Sequence, residues 1–226
     1  MEEVYEPLRG WIEIEVRDKD GKLIQSGRQR MQSFLNNLLR IIEGEAKAVG
    51  GAALSYYGLA QSATVILQDG TSGTAYIEWY NGTSYYGGGT PMALKASDDD
   101  DTYGIIVGSD TTPNTLNTYK IYSKISHGTS SGRLDYGPVS VDDLGLDTSV
   151  SPPVYRYRIV RAFSNLSGAV ITIREVGLVA RNYWKDLNAV RSNVKFLIAR
   201  DVLSTSYNVP NGGSATVAIT IEVVLG

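Results

Sequence analysis

The sequence predicts a mainly β protein: an antiparallel β-sandwich, jelly-roll-like or immunoglobulin-like, with one N-terminal amphipathic helix and a Tyr/Gly-rich insertion. Apolar and polar residues alternate over many short segments, glycine, asparagine and proline clusters separate those segments, and only one segment has a helical period. A βαβ arrangement would need repeated helices. The 226 residues, 42% of them hydrophobic, are enough for a single domain, within which residues 50–101 form the insertion.

The segment Val154–Val179 carries the clearest strand pattern. On each side of a short polar stretch the side chains alternate with a period of two, as in a half-buried strand. Asn165, Ser167 and Gly168 lie between the two alternating halves, and these residue types favour tight loops. We therefore predict an antiparallel hairpin here, against which the remaining strands pack.

The N-terminal region is predicted to form a hairpin followed by a helix. Trp11–Val16 alternates, Asp18–Gly21 supplies a turn that ends in glycine, and Lys22–Ser26 resumes the alternation. The apolar residues then fall at helical spacing, which predicts a helix over Phe34–Glu43 that Ser33 can cap. Its wide apolar side predicts that the helix packs against the sheet or against a neighbouring subunit.

Alternating side chains and clusters of turn-forming residues also predict the remaining strands and loops. The polar segments Asp142–Pro153 and Arg181–Ser192 are predicted to be loops. The last strand would be available for pairing with a neighbouring chain if it lay at a sheet edge. The remaining predicted strands are Ala63–Gln68, Thr74–Tyr80, a short apolar strand beginning at Gly104, Tyr119–Ser123, Leu134–Val141, Lys195–Leu203 and Ala215–Leu225.

Residues that usually carry catalysis or bind metals are scarce. There is no cysteine, and His127 is the single histidine, beside a glycine in a predicted turn, which argues against thiol chemistry and a histidine-rich metal site. Glu175 lies in an apolar strand, where we predict a salt bridge to Arg158 or Arg161 rather than acid–base catalysis. The run Asp98–Asp101 is predicted to be a solvated loop, with a bound Ca²⁺ left open. We assign no catalytic residue, cofactor or metal, and we expect no enzymatic activity.

Charge and hydropathy restrict the partners. The formal net charge is −3, and the densest basic clusters are RQR and RYR, so direct nucleic-acid binding is not expected. No apolar run approaches membrane-spanning length, and the first residues lack the pattern of a secretory signal.

Aromatic residues are concentrated in the insertion. They predict an assembly interface with other subunits or, as the alternative, an exposed platform for a carbohydrate or a cell surface. Burial by a neighbouring subunit would distinguish the interface from the platform. The residues are Tyr56, Tyr57, Trp79, Tyr80, Tyr85 and Tyr86.

Two other short segments are candidates for contact or modification. The N-terminal segment Met1–Arg9 either reaches a neighbouring subunit through Val4, Tyr5 and Leu8 or folds back on its own sheet. Asn81 and Asn165 stand in Asn-x-Ser/Thr tripeptides and are possible glycosylation sites.

Several motifs together resemble a known class of proteins. They are the strand GIIVG followed by a threonine-rich turn, a His127-Gly128 loop, the turn FSNLSG, the strand motif EVGL, and ARDV before a Pro-Asn-Gly turn. The chain outside residues 50–100 resembles small structural proteins encoded by tailed phages and by archaeal viruses and proviruses, and its opening is similar to their hairpin-plus-helix start. The resemblance implies a self-assembling virion or appendage component.

These observations predict a self-assembling structural protein of a virus particle (capsid, tail or decoration) or of a virus-derived extracellular filament. We expect homo-oligomers or polymers, with other virion proteins or cell-surface glycans as further partners. We expect synthesis in the host cytoplasm without a signal peptide. The absence of cysteine and the three methionines are consistent with a hot environment.

Overall fold

The computed structural model describes residues 8–47, 62–76, 88–185 and 190–225. Within these residues the protein is mainly β, with eleven strands and one helix. Every strand pair of the sheets is antiparallel, which confirms the predicted class at this coarse level. The elements are β1 Leu8–Arg17, β2 Leu23–Arg30, α1 Asn36–Lys47, β3 Ser62–Ile66, β4 Ser72–Tyr76, β5 Gly88–Ala93, β6 Gly104–Gly108, β7 Asp135–Asp147, β8 Val154–Ser164, β9 Ile171–Lys185, β10 Val190–Val209 and β11 Ser214–Val224.

Two larger sheets hold most of these strands. The first, sheet 1, has the order β2-β1-β11-β8-β7, and the second, sheet 2, has the order β10-β9-β5. β6 also pairs with β9, beside β5, because β9 is 15 residues long and accommodates both short strands. β3 and β4 form a separate two-stranded sheet.

One hydrophobic cluster includes residues of both sheets. Along β1, Ile12, Ile14 and Val16 are buried while their neighbours are more exposed, as the period-two pattern requires. In β9 the run from Val176 to Ala180 is buried throughout, because sheet 2 also contacts α1 and the β3–β4 pair. Burial of this apolar surface is the main stabilising contribution to the fold.

The predicted hairpin over Val154–Val179 is wrong in its pairing, although both strands exist. β8 belongs to sheet 1 and β9 to sheet 2, so their connection crosses from one sheet to the other. Asn165 holds this crossing, because its buried side-chain amide donates to the carbonyl oxygens of Ala169 (2.8 Å) and Val209 (2.7 Å). The β10–β11 connection crosses beside it, and Gly212 N donates to Asn165 O at 2.7 Å. Alternation in sequence cannot distinguish a hairpin from such a crossing, since both need extended strands and a polar connection.

Several boundaries also differ from the predictions. β7 continues to Asp147, β9 to Lys185 and β10 begins at Val190, so the two predicted loops are partly strand. Hydrogen bonds to adjacent strands override the polar composition of those segments. Tyr119–Ser123 is not a strand, since its end donates backbone hydrogen bonds to a buried carboxylate. The last strand, β11, lies between β1 and β8 and presents no free edge.

The β1–β2 hairpin confirms the predicted DG turn, and β3 and β4 also pair with each other, whereas the helix is shifted. α1 begins at Asn36 because Phe34 still bridges Ala199 and Leu35 N donates to Ile198 O at 2.9 Å. The buried side of α1 packs against β3 and β10 of its own chain. Leu39 and Ile42, on another side of α1, are exposed.

Candidate functional site

Glu175 and Arg200 form a buried ion pair between the neighbouring strands β9 and β10. Arg200 Nε donates to Glu175 Oε2 at 2.6 Å, and neither side chain has exposed surface. The other lone pairs of Glu175 accept the backbone N–H groups of Ser123 (2.9 Å), Asp110 (3.3 Å) and Tyr122 (3.3 Å). The carboxylate therefore fastens both ends of the connection 109–125 to sheet 2.

Arg200 holds the middle of the same connection. Its Nη1 donates to Thr112 O at 2.9 Å and to Asn114 Oδ1 at 2.5 Å. The guanidinium carbon lies 4.7 Å from the centroid of the Tyr122 ring, a cation–π distance. All these contacts serve the packing of one loop, so the pair acts as a structural clamp.

The partner of Glu175 differs from the predicted one. Arg158 and Arg161 lie on β8 in sheet 1, whereas Glu175 lies in sheet 2, where Arg200 is its neighbour on the adjacent strand. Arg158 instead binds Glu13 at 3.1 Å on sheet 1. The predicted salt bridge of Glu175 is present, but the named arginines were wrong because the predicted strand pairing was wrong.

Arg161 is a second buried charge, and it binds carbonyl oxygens in place of a carboxylate. Its side chain has no exposed surface and its guanidinium carbon lies 4.7 Å from the Tyr136 ring centroid. Burial lowers the pKa of Arg161, yet a guanidinium stays protonated in proteins. Its five acceptors are the carbonyl oxygens of Gly137 (2.8 Å), Ile105 (3.1 Å), Tyr103 (3.2 Å), Ser97 (3.4 Å) and Asp100 (2.6 Å). The bond to Gly137 reaches β7 within sheet 1, and the other four join β8 to β6 of sheet 2 and to the segment before β6.

The acidic run Asp98–Asp101 is solvated only in its first half. Asp98 and Asp99 are exposed, whereas Asp100 and Asp101 are partly buried. Asp101 accepts His127 N at 2.8 Å and pairs with Lys124 at 3.0 Å. Burial acts to raise the pKa of Asp101, but these two partners hold it below its ordinary value. The prediction of a solvated loop is therefore wrong for Asp100 and Asp101, which fix the loop to its neighbours.

His127 lies in a connection between β6 and β7, as its neighbouring glycine predicted. Nε2 lies 3.6 Å from Asp99 Oδ1, and Nδ1 lies 3.6 Å from Asp135 Oδ1 while accepting Tyr136 N–H at 3.3 Å. The two carboxylates thus approach opposite nitrogens of one ring. One ligand atom from each of the three residues lies within 4.8 Å of the other two, whereas a structural Zn²⁺ site uses four ligands. We assign no metal to this cluster.

Asp201 is a buried carboxyl group whose charge is poorly compensated. It is 2% exposed, and its two oxygens accept the backbone N–H of Gln32 at 3.1 and 3.2 Å. Burial raises the pKa of Asp201 to about 7, although Gln32, Ser33 and Arg200 act in the opposite direction. Because the folded state binds this proton more tightly than the unfolded chain, the stabilisation is complete below about pH 4 and is lost as the pH rises through about 7.

The variant Asp201→Asn should remove this pH dependence. We expect the free energy of unfolding of the parent protein to fall by roughly 1–3 kcal/mol between pH 4.5 and pH 8, and that of the variant to change much less. Urea unfolding across this pH range measures both, with the exposed Asp20→Asn as the control. A parent protein that becomes more stable toward pH 8 would contradict the assignment.

A group of exposed apolar side chains lies on the β7–β8 hairpin. We call it the hairpin patch, and it comprises residues of β7, β8 and their connection. Leu144 and Leu146 are 52% and 55% exposed, far more than is usual for leucine. β7 is also an edge strand of sheet 1, so one side of its backbone has no strand partner among the described residues. The patch residues are Val141, Leu144, Leu146, Val150 and Tyr155.

The patch arises from the register of sheet 1. Leu146 pairs with Tyr155, Tyr155 pairs with Val223, and Val223 pairs with Leu8. One apolar row therefore crosses four strands. The row continues the core-facing side of the sheet, and its exposure increases toward the β7 edge. A β-bulge between Asp143 and Gly145 adds Leu144 to the edge. Tyr155 also donates its hydroxyl hydrogen to Asp143 Oδ1 at 2.8 Å, which raises its pKa.

Only two of the residues proposed from sequence for assembly or modification are described. Leu8 begins β1 and packs against the core of its own chain. The side-chain nitrogen of Asn165 is buried and donates two hydrogen bonds, so it is not accessible for glycan attachment in the folded chain. The residues Val4, Tyr5, Tyr56, Tyr57, Trp79, Tyr80, Asn81, Tyr85 and Tyr86 lie outside the described residues.

Sequence reasoning missed the roles of Arg161 and Arg200 and the hairpin patch. An arginine at an inward position of an alternating strand is a visible signal for a buried cation, and Arg161 has it. The hairpin patch had no such signal, because its segment read as a polar connection.

No protein-family model, curated protein or solved structure matches this chain. Within the described residues, no helix has the length and apolar character that a membrane crossing requires.

Proposed function

We propose that this protein is a structural subunit that assembles with copies of itself, and that the hairpin patch is a contact surface. The single observation that carries the proposal is the coincidence of exposed leucines with the second half of β7, whose outer edge pairs with no strand in the described part of the chain. Monomeric proteins usually protect such strand edges from pairing with other chains, whereas subunit interfaces use them for contact between chains. The buried charges described above are engaged in holding loops and sheets together, which agrees with a structural role.

The physical basis is burial of apolar surface combined with backbone pairing. Leu144 and Leu146 each contribute on the order of 1.5–3 kcal/mol if a neighbouring copy covers them fully. Pairing of the second half of β7 with the same segment of another copy would also provide hydrogen-bond partners for its edge N–H and C=O groups and give a two-fold contact.

The proposal also covers the type of fold and the assembly in which the chain serves. The two sheets form an antiparallel sandwich of jelly-roll-like or immunoglobulin-like type, which is supported by the hydrophobic cluster they share and by the two adjacent crossings at Asn165 and Gly212. The chain serves in a virus particle or a virus-derived filament, and this part is supported by the resemblance of its motifs.

Charge placed in the hairpin patch should weaken assembly without unfolding the chain. We expect the double variant Leu144→Lys/Leu146→Lys to lose association by at least about tenfold, because two ammonium groups would have to be desolvated at the contact. Multi-angle light scattering and negative-stain microscopy across protein concentration measure this. The matched control is Leu166→Lys, another exposed leucine that lies away from the patch.

Two results would contradict the proposal. The first is a parent protein that stays monomeric across concentration and salt. The second is a doubly substituted protein that assembles as well as the parent.

A further inference from the structure

A cleft of about 360 Å³ lies at the end of the β1–β2 pair. One part of its wall is apolar, formed by Leu8, Met31 and Phe34, and another part is cationic, formed by Arg9 and Arg30. Leu8 is the first residue of β1, so residues 1–7 join the described chain at the wall of this cleft.

Arg9 is a partly buried cation without an ion-pair partner among the described residues. Its Nε is buried and has no hydrogen-bond acceptor. Its cross-strand neighbour is Glu222, but that carboxylate binds Arg156 Nε at 2.7 Å. A buried N–H donor without an acceptor is unfavourable, so the cleft favours a ligand that brings a carboxylate to Arg9.

We infer that this cleft binds residues 1–7 of a second copy of the chain. That segment, MEEVYEP, combines three carboxylates with Val4 and Tyr5, which matches the cationic and apolar parts of the wall. The inference rests on the proposed self-assembly and names a contact distinct from the hairpin patch.

The proline at position 7 favours exchange between copies over binding within one chain. Proline disfavours helical backbone at the residue before it, and therefore disfavours the tight reversal that would return the segment to the cleft of its own chain. The segment of one copy and the cleft of the next are different surfaces. Such a head-to-tail contact leaves one segment and one cleft open at the ends, so it extends into rings or filaments.

A mixing experiment tests exchange directly. One variant lacks residues 1–7 and keeps the cleft, and the other carries Arg9→Glu/Arg30→Glu and keeps the segment. Both also carry Leu144→Lys/Leu146→Lys, so that the hairpin patch does not contribute. We expect each protein alone to be monomeric and their mixture to give a one-to-one dimer in native mass spectrometry. A mixture that stays monomeric would overturn the inference.

Charge exchange and a peptide provide independent readouts. Arg9→Glu/Arg30→Glu should weaken binding of a synthetic MEEVYEP peptide to the chain lacking residues 1–7 by about tenfold or more, and a peptide with its three glutamates changed to lysine should restore it. The control Arg17→Glu, at the other end of β1, should leave binding unchanged. If Arg9→Glu/Arg30→Glu unfolds the chain, Arg9→Gln/Arg30→Gln with the same peptide replaces it.

The outcomes for the two proposals are distinguishable. The peptide assay does not require assembly, so absence of peptide binding overturns the cleft inference even if the parent protein polymerises. A peptide that binds equally well to the charge-reversed cleft also overturns it. A parent protein that stays monomeric overturns the proposed function, whereas peptide binding that is lost in the charge-reversed cleft supports the assignment of the cleft.

Discussion

Replacement of Arg161 by methionine is expected to destabilise the protein by more than about 4 kcal/mol, a large part of the 5–15 kcal/mol that typically separates folded from unfolded domains. The substitution leaves five carbonyl oxygens without their donor, and at least two of them accept from Arg161 in the fully buried interior. It also removes the stacking on Tyr136. Urea unfolding followed by circular dichroism measures the loss.

The controls separate hydrogen bonding from charge and from size. Arg161→Lys keeps the charge, but an ammonium cannot reach five acceptors in a planar fork, so we expect an intermediate loss. Arg158→Met removes a partly exposed arginine of the same strand, whose salt bridge to Glu13 is on the sheet surface, and we expect about 1 kcal/mol or less. Equal effects of Arg161→Met and Arg158→Met would contradict the role assigned to Arg161.

The buried pair of Glu175 and Arg200 should produce the second large effect. Glu175→Gln removes the carboxylate that is paired with the buried Arg200, and Arg200→Met leaves Glu175 as a buried anion, so we expect each to cost about 3–5 kcal/mol. The double variant Glu175→Gln/Arg200→Met should cost clearly less than the sum of the two, because the unpaired charge is removed.

Hydrogen exchange provides a specific readout for this pair. Because Glu175 accepts the amide of Ser123 at 2.9 Å, that amide should lose protection in Glu175→Gln while the amides of β11 keep theirs. Glu13→Gln is the matched control, since Glu13 forms its ion pairs on the partly exposed face of sheet 1. Additive single effects in the double variant, or an unchanged Ser123 amide, would contradict the clamp.

Local patterns allowed most strands to be predicted. The alternation in β1, β8 and β11, the DG turn between β1 and β2, and the helical spacing after Ser33 all depend on residues close in sequence, and all correspond to observed elements. The structural role of Glu175 was also predictable, because an acid inside an apolar strand needs a buried partner. Boundaries were less predictable, since the polar ends of β7, β9 and β10 are strand only because adjacent strands bind them.

The sequence by itself determined where the chain is extended, where it turns and which side chains must be buried, since a period of two and turn chemistry act within a few residues. Only the tertiary structure decided which strands meet. It placed β8 and β9 in different sheets, and it paired Glu175 with Arg200. It also brought the loop carbonyl oxygens within hydrogen-bonding distance of Arg161 and left Leu144 and Leu146 exposed at a sheet edge. The physical reason is that pairing between distant segments depends on hydrogen bonds and packing summed over both sheets, and a local pattern is the same for every partner that satisfies them.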